Sequence, residues 1–413
     1  MMIRPLSIRF VIALTLVCAA SASAQQQAAP PIQGTTTTTE TLSLADTLTA
    51  LTRPVGTPHL GDALSLATEL GIGTAPFGAS SGGFLIKLDP TTGLQVRTAT
   101  TFGPSFAERA LTSGEGKVSV GVNFASATYD RLNKLHIDGM QVLNVAGTSA
   151  AARTGNTDLE ITTKTVVASA RMGVTDKFDI GVFVPFVTTE VKGTSTLVNS
   201  SGQITLFAQG DAKSSGLGDI AGLAKYRFYS FGTGQPDPGG LAVMVTMRLP
   251  TGDKDNLRGL DVTRTAVSFI ASGGRGRFRP HGNVGYGYWS QGVSVLSDYA
   301  VNGSVEARHQ FEYAAGLELE AAPKLTLLVD LLGGSILGGG KVDMATVPNT
   351  IAGASSTQAL VALPEGIRRM SLAPGLKVNL KGKMLLSLNA LVALTDGGMW
   401  TRVIPVAGID LTF

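Results

Sequence analysis

The residues able to do chemistry are few and scattered. The four histidines, His59, His136, His281 and His309, never fall into the His-Glu-x-x-His spacing that sets two zinc ligands and a general base on one helical face. Gly338-Gly339-Gly340-Lys341 has the look of a phosphate loop. Ser335, however, stands where the first glycine is needed and Val342 where the magnesium-binding hydroxyl belongs. Asp253 and Asp255 could open a calcium loop, but Leu257 breaks the ligand series. Cys18 is the only cysteine, so neither disulfides nor thiolate chemistry is expected. No catalytic group, metal ligand set or cofactor site is expected.

What recurs instead is charge at alternate positions of apolar runs. Glu160 and Lys164 form one such group, Lys225 and Arg227 another, followed by Arg248. Arg277, Arg279, His281 and Asn283 come next, then Glu306, Arg308 and Glu312. Asp330, Arg369, Lys377 and Asp410 complete the set. An Arg or Lys facing lipid near the bilayer midplane costs ~2–4 kcal/mol, so these side chains are expected inside a barrel. There they could line a solute path, or cross-link the wall through opposed charges on neighbouring strands. Both readings stay open.

The elements that would position them are strands. Apolar and polar residues alternate with a period of two, the mark of opposite faces of a strand, near 117–129, 157–171, 177–191, 217–229, 240–249, 262–272, 276–290, 305–320, 324–337, 367–380, 383–394 and 401–413. The clearest run is Val305 to Leu319. The connections alternate between short turns, such as Gly173–Asp176 and Ala321–Pro323, and longer stretches, such as 130–156, 192–216 and 338–366. Outer-membrane barrels have this asymmetry, with short periplasmic turns and long external loops. After residue 24 no apolar run approaches the ~20 residues of a membrane helix. The expected fold is all-β: a transmembrane antiparallel up-and-down barrel of about twelve strands, spanning 117–413. Twelve staves leave an interior between the ~8 that side chains fill and the ~16 that enclose a water channel.

Residues 1–24 read as a secretory signal, with Arg4 and Arg9 before an apolar run and Ala22-Ser23-Ala24 as the cleavage site. Without Arg4 and Arg9, 31 basic residues face 30 acidic ones. That balance does not suggest nucleic acid. Residues 25–58, with a run of five Thr, read as a flexible lead, although Leu42, Leu44, Leu48 and Leu51 allow a short helix. His59 to Leu70 has helical spacing, ended by Gly71 and Gly73. Runs at 84–88 and 94–98 around Asp89-Pro90-Thr91-Thr92-Gly93 read as a hairpin too short to span a bilayer. Residues 59–116 are thus expected to plug the barrel or to sit beneath it on the periplasmic side. Phe102, Pro104 and Phe106, with Glu108 and Arg109 to pair with wall charges, could form a plug latch, or a rigid turn into the first strand.

The final run, Arg402 to Phe413, sets Val403, Ala407, Ile409, Leu411 and Phe413 on one face. Arg402, Gly408, Asp410 and Thr412 lie on the other, with Ile404 and Val406 as apolar exceptions. It is expected to close the barrel against the strand near 117–129. Gly408, Leu411 and Phe413 have the spacing of the signal read by the outer-membrane barrel assembly machinery, and Val406 stands where that pattern usually begins with a polar residue.

Two segments carry a family resemblance. Arg248-Leu249-Pro250-Thr251-Gly252-Asp253, where a strand runs into a Pro-Thr-Gly-Asp loop, and Thr101-Phe102-Gly103-Pro104-Ser105-Phe106-Ala107-Glu108-Arg109-Ala110-Leu111-Thr112 resemble segments of the outer-membrane barrels grouped as the MetA-pathway-of-phenol-degradation family. The resemblance runs over most of 60–413. It implies an outer-membrane transporter for small aromatic or apolar compounds and brings no catalytic residues. The twelve-stranded outer-membrane phospholipases place a catalytic His two residues before a Ser. Here Asn283 follows His281 and Phe311 follows His309 at that spacing, so the pattern is not met.

Three functions follow for comparison. The first is a channel passing a small solute through a narrow charged lumen, with lipid as its surroundings. The second is a barrel enzyme acting on lipid, which would need a Ser or Asp within reach of His281 or His309. The third is a structural barrel with a blocked lumen.

Overall fold

The computed structural model describes residues 42–78, 86–88, 95–97, 99–232, 239–299 and 303–413. Residues 1–24, expected to be a secretory signal with its cleavage site, lie outside the described residues. Twelve strands close a barrel: β1 (Val118–Tyr129), β2 (Arg153–Thr175), β3 (Phe178–Asn199), β4 (Ala221–Phe231), β5 (Gly239–Arg248), β6 (Arg264–Ser272), β7 (Phe278–Trp289), β8 (Gly303–Ala322), β9 (Leu325–Gly338), β10 (Ile367–Lys381), β11 (Met384–Ala393) and β12 (Val403–Thr412). Each pairs antiparallel with its neighbour in sequence. β12 closes on β1 through a register running from Val406 opposite Ala125 to Thr412 opposite Ser119. All twelve expected strands are present, and the terminal strand is the closing stave.

The outer face explains the alternation. Val120, Val122 and Phe124 on β1, Ile180 and Val182 on β3, Val267 and Phe269 on β6, and Ile409 and Leu411 on β12 all stand exposed. A continuous apolar belt of this kind is unfavourable in water and fits lipid. Exposed aromatics mark both margins. Tyr229, Phe231, Phe278 and Phe413 lie toward the short-turn end, and Tyr286 and Tyr288 toward the other. Ten residues separate Phe278 from Tyr288; on a strand tilted ~40° they climb about 25 Å, the height of a barrel's apolar band. Among the described residues no helix is long and apolar enough to cross a membrane; the strands do so. The short turns need left-handed residues. Gly276 (φ 60°) and Gly382 (φ 57°) supply them, each with open space around its missing Cβ, so backbone conformation alone selects glycine.

The long connections are not irregular. Met140–Gly147 pairs with β2 and with Ala354–Leu363, which in turn pairs with Lys341–Thr346. Val293–Ser297 extends β7 against β8, and Ile204–Leu217 runs along the upper part of β3. These short strands build a crown above the membrane. Sequence alternation missed them because both of their faces are mixed in polarity outside lipid.

The crown encloses two helices. α1 (Leu44–Thr52) starts at a capping box between Ser43 and Asp46. It falls within the stretch read as a flexible lead, yet Leu44, Leu48 and Leu51 are buried. α2 (Leu60–Gly73) is buried nearly all round, with Leu60, Leu64, Leu66 and Leu70 fully enclosed. Their partners include Leu132, Ile137 and Met140, with Leu159, Val191 and Leu360. The ordered inner segment therefore begins before residue 59. The hairpin expected at 84–98 pairs Ile86–Leu88 with Gln95–Arg97.

Candidate functional site

Register fixes which expected lumen residues face inward. Lys225, Arg227, Arg248, Arg279, His281, Glu312, Asp330, Arg369, Lys377 and Asp410 do, each opposite another inward residue: Lys225 faces Asp179 across β3–β4, and Arg279 faces Glu318 across β7–β8. Five do not. Glu160 and Lys164 share the outward parity of Val166 and Met172 on β2; they stand above the belt, where Glu160 is the register partner of Lys192. Glu306 and Arg308 pair with each other on the outer side. The reason is a bulge at His309 (φ 55°), where the β8–β9 register shifts between Arg308 and Gln310. An extra residue flips the faces above it, so Val305 and Ala307 turn inward and are buried. Arg277 is exposed in the turn before β7. His309 itself stacks on Tyr288 at 5.0 Å.

The inward charges mostly hold the chain's own N-terminal segment rather than one another. Residues 99–113 cross the short-turn half of the lumen without regular structure, and their amides need partners. Asp330 Oδ2 accepts the N–H groups of Ser105, Phe106 and Ala107 at 3.1, 3.0 and 3.3 Å. Glu318 accepts from Gly103 at 3.0 Å, and Asp179 from Ser113 at 3.0 Å. Lys377 Nζ donates to the Pro104 carbonyl at 2.6 Å, and Lys225 Nζ to those of Arg109 and Leu111 at 3.2 and 2.9 Å. Of the expected latch residues, Phe102 is fully buried and Arg109 lies beside Gly103. Glu108 meets Arg171 through both guanidinium nitrogens, at 2.7 and 3.2 Å, and Lys225 at 3.3 Å. Burial alone would raise the Glu108 carboxyl, but Arg171 and Lys225 outweigh it and hold the group at about 2.

A second set grips the end of α2. That helix has no basic residue in its last turn, and its terminal carbonyls carry partial negative charge. Arg248 Nη1 donates to the Gly73 carbonyl at 2.7 Å, Arg264 Nη1 to the same oxygen at 2.6 Å, and Arg369 Nη1 to that of Leu70 at 3.2 Å. Arg248 also reaches the Ala75 carbonyl at 3.2 Å. The wall thus supplies the cationic cap that the helix lacks. Asp219 pairs with Arg264 at 2.8 Å and, by accepting from the Gly252 amide at 3.1 Å, ties in the Pro-Thr-Gly-Asp loop.

Between these two attachments lies a cavity of about 350 Å³. Phe77, Phe106, Tyr129, Met244, Trp289 and Trp400 line it, with Arg248, Arg264, Arg369 and Glu312 among them. A smaller space of about 90 Å³ adjoins it across the strap Ala75-Pro76-Phe77-Gly78. Ile404 and Val406, the apolar exceptions of the terminal strand, line this smaller space.

Arg171, Asp179, Arg264, Glu318 and Asp219 were not among the expected residues. Strand parity could have found the first four. Arg171 was hidden because Glu160 and Lys164, outside the membrane, suggested the opposite face for β2. His281 has both ring nitrogens engaged: Nε2 lies 2.8 Å from Asp330 and Nδ1 3.5 Å from Glu318. An Asp is therefore within reach, but that Asp also holds the inner segment, and neither ring nitrogen is left to activate a nucleophile. Leu411 and Phe413 are exposed on the outer face, while Gly408 faces inward against the Asn123 amide.

No family model and no curated protein matches the chain. Solved structures similar to it include the COG4313 outer membrane channel from Pseudomonas putida F1, 13% identical, covering 74% of this chain and 98% of that one at a TM-score of 0.47. A deletion mutant of the monoaromatic hydrocarbon channel TodX is 8% identical, covering 74% and 92% at 0.31. The translocator domain of the autotransporter NalP from Neisseria meningitidis is 11% identical, covering 73% and 89% at 0.31.

Proposed function

We propose that this chain is an outer-membrane channel for small aromatic or apolar solutes, with residues 99–113 as a displaceable plug. The observation that carries the reading is the mid-barrel cavity, which is walled mainly by aromatic and apolar side chains and stoppered by the chain's own segment. Its ~350 Å³ falls at the small end of ligand pockets. A purely structural barrel has no need of an apolar cavity within its lumen. The resemblance of residues 101–112 and 248–253 to the phenol-degradation barrels agrees with this reading.

The kind of attachment, apolar or polar, sets the two regions apart. Expelling α1 and α2 would expose at least five fully buried Leu side chains, at ~1.5–3 kcal/mol each, a cost on the order of 10 kcal/mol. Residues 99–113 bury two large apolar side chains, Phe102 and Leu111, together with Ala99, Ala107 and Ala110. Their other attachments are polar: hydrogen bonds worth ~0.5–3 kcal/mol net each, and the buried pairs of Glu108 with Arg171 and Lys225, all of which water can replace once the segment leaves the lumen. The helices are fixtures, and the lower segment is the moving part.

The test is uptake of radiolabelled phenol by a Gram-negative host stripped of its own aromatic channels, with and without this chain. Faster uptake of phenol than of a sugar of similar size is expected. No gain in either solute would remove the channel reading, and lipid hydrolysis by the purified barrel would favour an enzyme instead.

A further inference from the structure

The strap Ala75-Pro76-Phe77-Gly78 leaves α2 and crosses the lumen between the two cavities. The ring of Phe77 stacks on Phe183 of β3, with 5.6 Å between centroids and 23° between planes. The Arg248 guanidinium of β5 lies 4.0 Å from the centre of the same ring. Phe183 and Arg248 are both register partners of Ala221 on the intervening β4, so the three form one inward row. Strands stand ~4.8 Å apart, and the two ring separations together span about two such spacings. Phe77 packs against the cluster that contains Ala221 and Phe183. Its ring therefore fills a slot with a methyl floor, one aromatic side and one guanidinium side.

The slot does not depend on Phe77 for its shape. Arg248 is oriented by the Gly73 and Ala75 carbonyls, and Phe183 and Ala221 are set by the barrel ladder. The space beside it is open, because Phe77 borders both cavities. An aromatic face carries negative charge that attracts a guanidinium, and a saturated ring of the same size carries none.

We propose that this slot is a binding site for the ring of a neutral monocyclic aromatic solute, and that Phe77 occupies it as an internal surrogate which the incoming ring displaces. The proposal rests on the channel reading and names the group that the cavity selects. Phe77, tethered by its own chain, competes at a high effective concentration. The slot is thereby closed to weak binders and opens to a ring that gains contacts in the larger cavity as well.

The experiment is binding of 4-fluorophenol to the detergent-solubilised whole chain, read by fluorine NMR, with 4-fluorocyclohexanol as the saturated control. Phe77→Ala is expected to tighten 4-fluorophenol binding about tenfold and to move the control by less than about twofold. Adding Arg248→Met, or separately Phe183→Leu, to Phe77→Ala is expected to abolish the gain, with heat-modifiable gel mobility confirming a closed barrel. Equal affinity in the whole chain and Phe77→Ala overturns the proposal. So does a gain that survives both second substitutions or that the saturated ring shares. The readout is binding, so it separates the two claims. Tightened binding without solute passage would remove the channel and leave the site, and passage without a Phe77 effect would do the reverse.

Discussion

Asp330 on β9 accepts the amide of Phe106 at 3.0 Å, across 224 residues of sequence. The same oxygen takes the amides of Ser105 and Ala107, while its other oxygen holds His281 at 2.8 Å. One carboxylate thus binds three successive peptide groups of the lower segment to the wall. Hydrogen bonds to a charged acceptor are worth ~1.5–3 kcal/mol each. Asp330→Asn keeps the shape and removes the charge. It is expected to raise the open probability of single molecules in planar bilayers by about tenfold or more, and an unchanged open probability would show that the clasp does not control the path.

The helices are expected to behave differently from the segment below them. A Cβ built on Gly71 of α2 comes 3.4 Å from the Cβ of Met399, near the ~3.8 Å of a disulfide. Gly71→Cys with Met399→Cys should therefore bridge α2 to the crown. Oxidising that pair is expected to leave the current unchanged, because α2 does not move. Loss of current on oxidation would mean that the helices open too.

Acidity acts on the two ends of the inner segment in opposite directions. Glu108 is held at about 2 by Arg171 and Lys225. Its contribution to docking is therefore complete above the usual 4.5 and lost as pH falls toward 2. Glu69 of α2 is pushed up to about 8, chiefly by burial and then by Asp255, Asp261 and Asp62. Its contribution is complete below 4.5 and is lost as pH rises through 8. The protection of residues 99–113 from hydrogen exchange, taken relative to the intrinsic rate at each pH, should fall on acidification below pH 4.5. That of α2 should fall between pH 4.5 and 8, and Glu69→Gln should flatten this second change.

The twelve staves were legible because lipid imposes one rule on the whole outer face: alternate positions must be apolar. Val120 to Phe124 and Val403 to Leu411 show that rule without exception. It lapses above the membrane, which is why Glu160 and Lys164 pointed to the wrong face and the strands of the crown went unseen. At His309 a single left-handed residue reversed the parity of Glu306 and Arg308, and no alternation pattern marks a bulge in advance. The charged lining was visible as residue types. Its purpose was not, since Lys377 bonds to a carbonyl and Asp330 to amides, and sequence gives no periodicity for such partners.

The reversal at His309 can be checked by labelling. Arg308→Cys is expected to react rapidly with a membrane-impermeant maleimide on intact cells, because Arg308 lies exposed on the outer side of the crown. Glu312→Cys, four residues on, faces the cavity inside the barrel and should react at least about tenfold more slowly, because the reagent must first pass the helices above it. Equal rates would place both residues on one face and contradict the bulge.

On the proposed function, displacement of residues 99–113 opens the lumen. The Ser105 hydroxyl donates to Asn389 Oδ1 of β11 at 2.7 Å, so Ser105→Cys with Asn389→Cys sets two thiols within the span of a short bis-methanethiosulfonate, which joins them through two reducible disulfides. The sole native cysteine, Cys18, lies in the expected leader. The decisive measurement is ionic current through single molecules of this double variant in a planar bilayer, first cross-linked and then reduced in the same membrane. No openings are expected while the bridge is intact, and openings are expected once reductant is added. The same current in both states would contradict the proposed function.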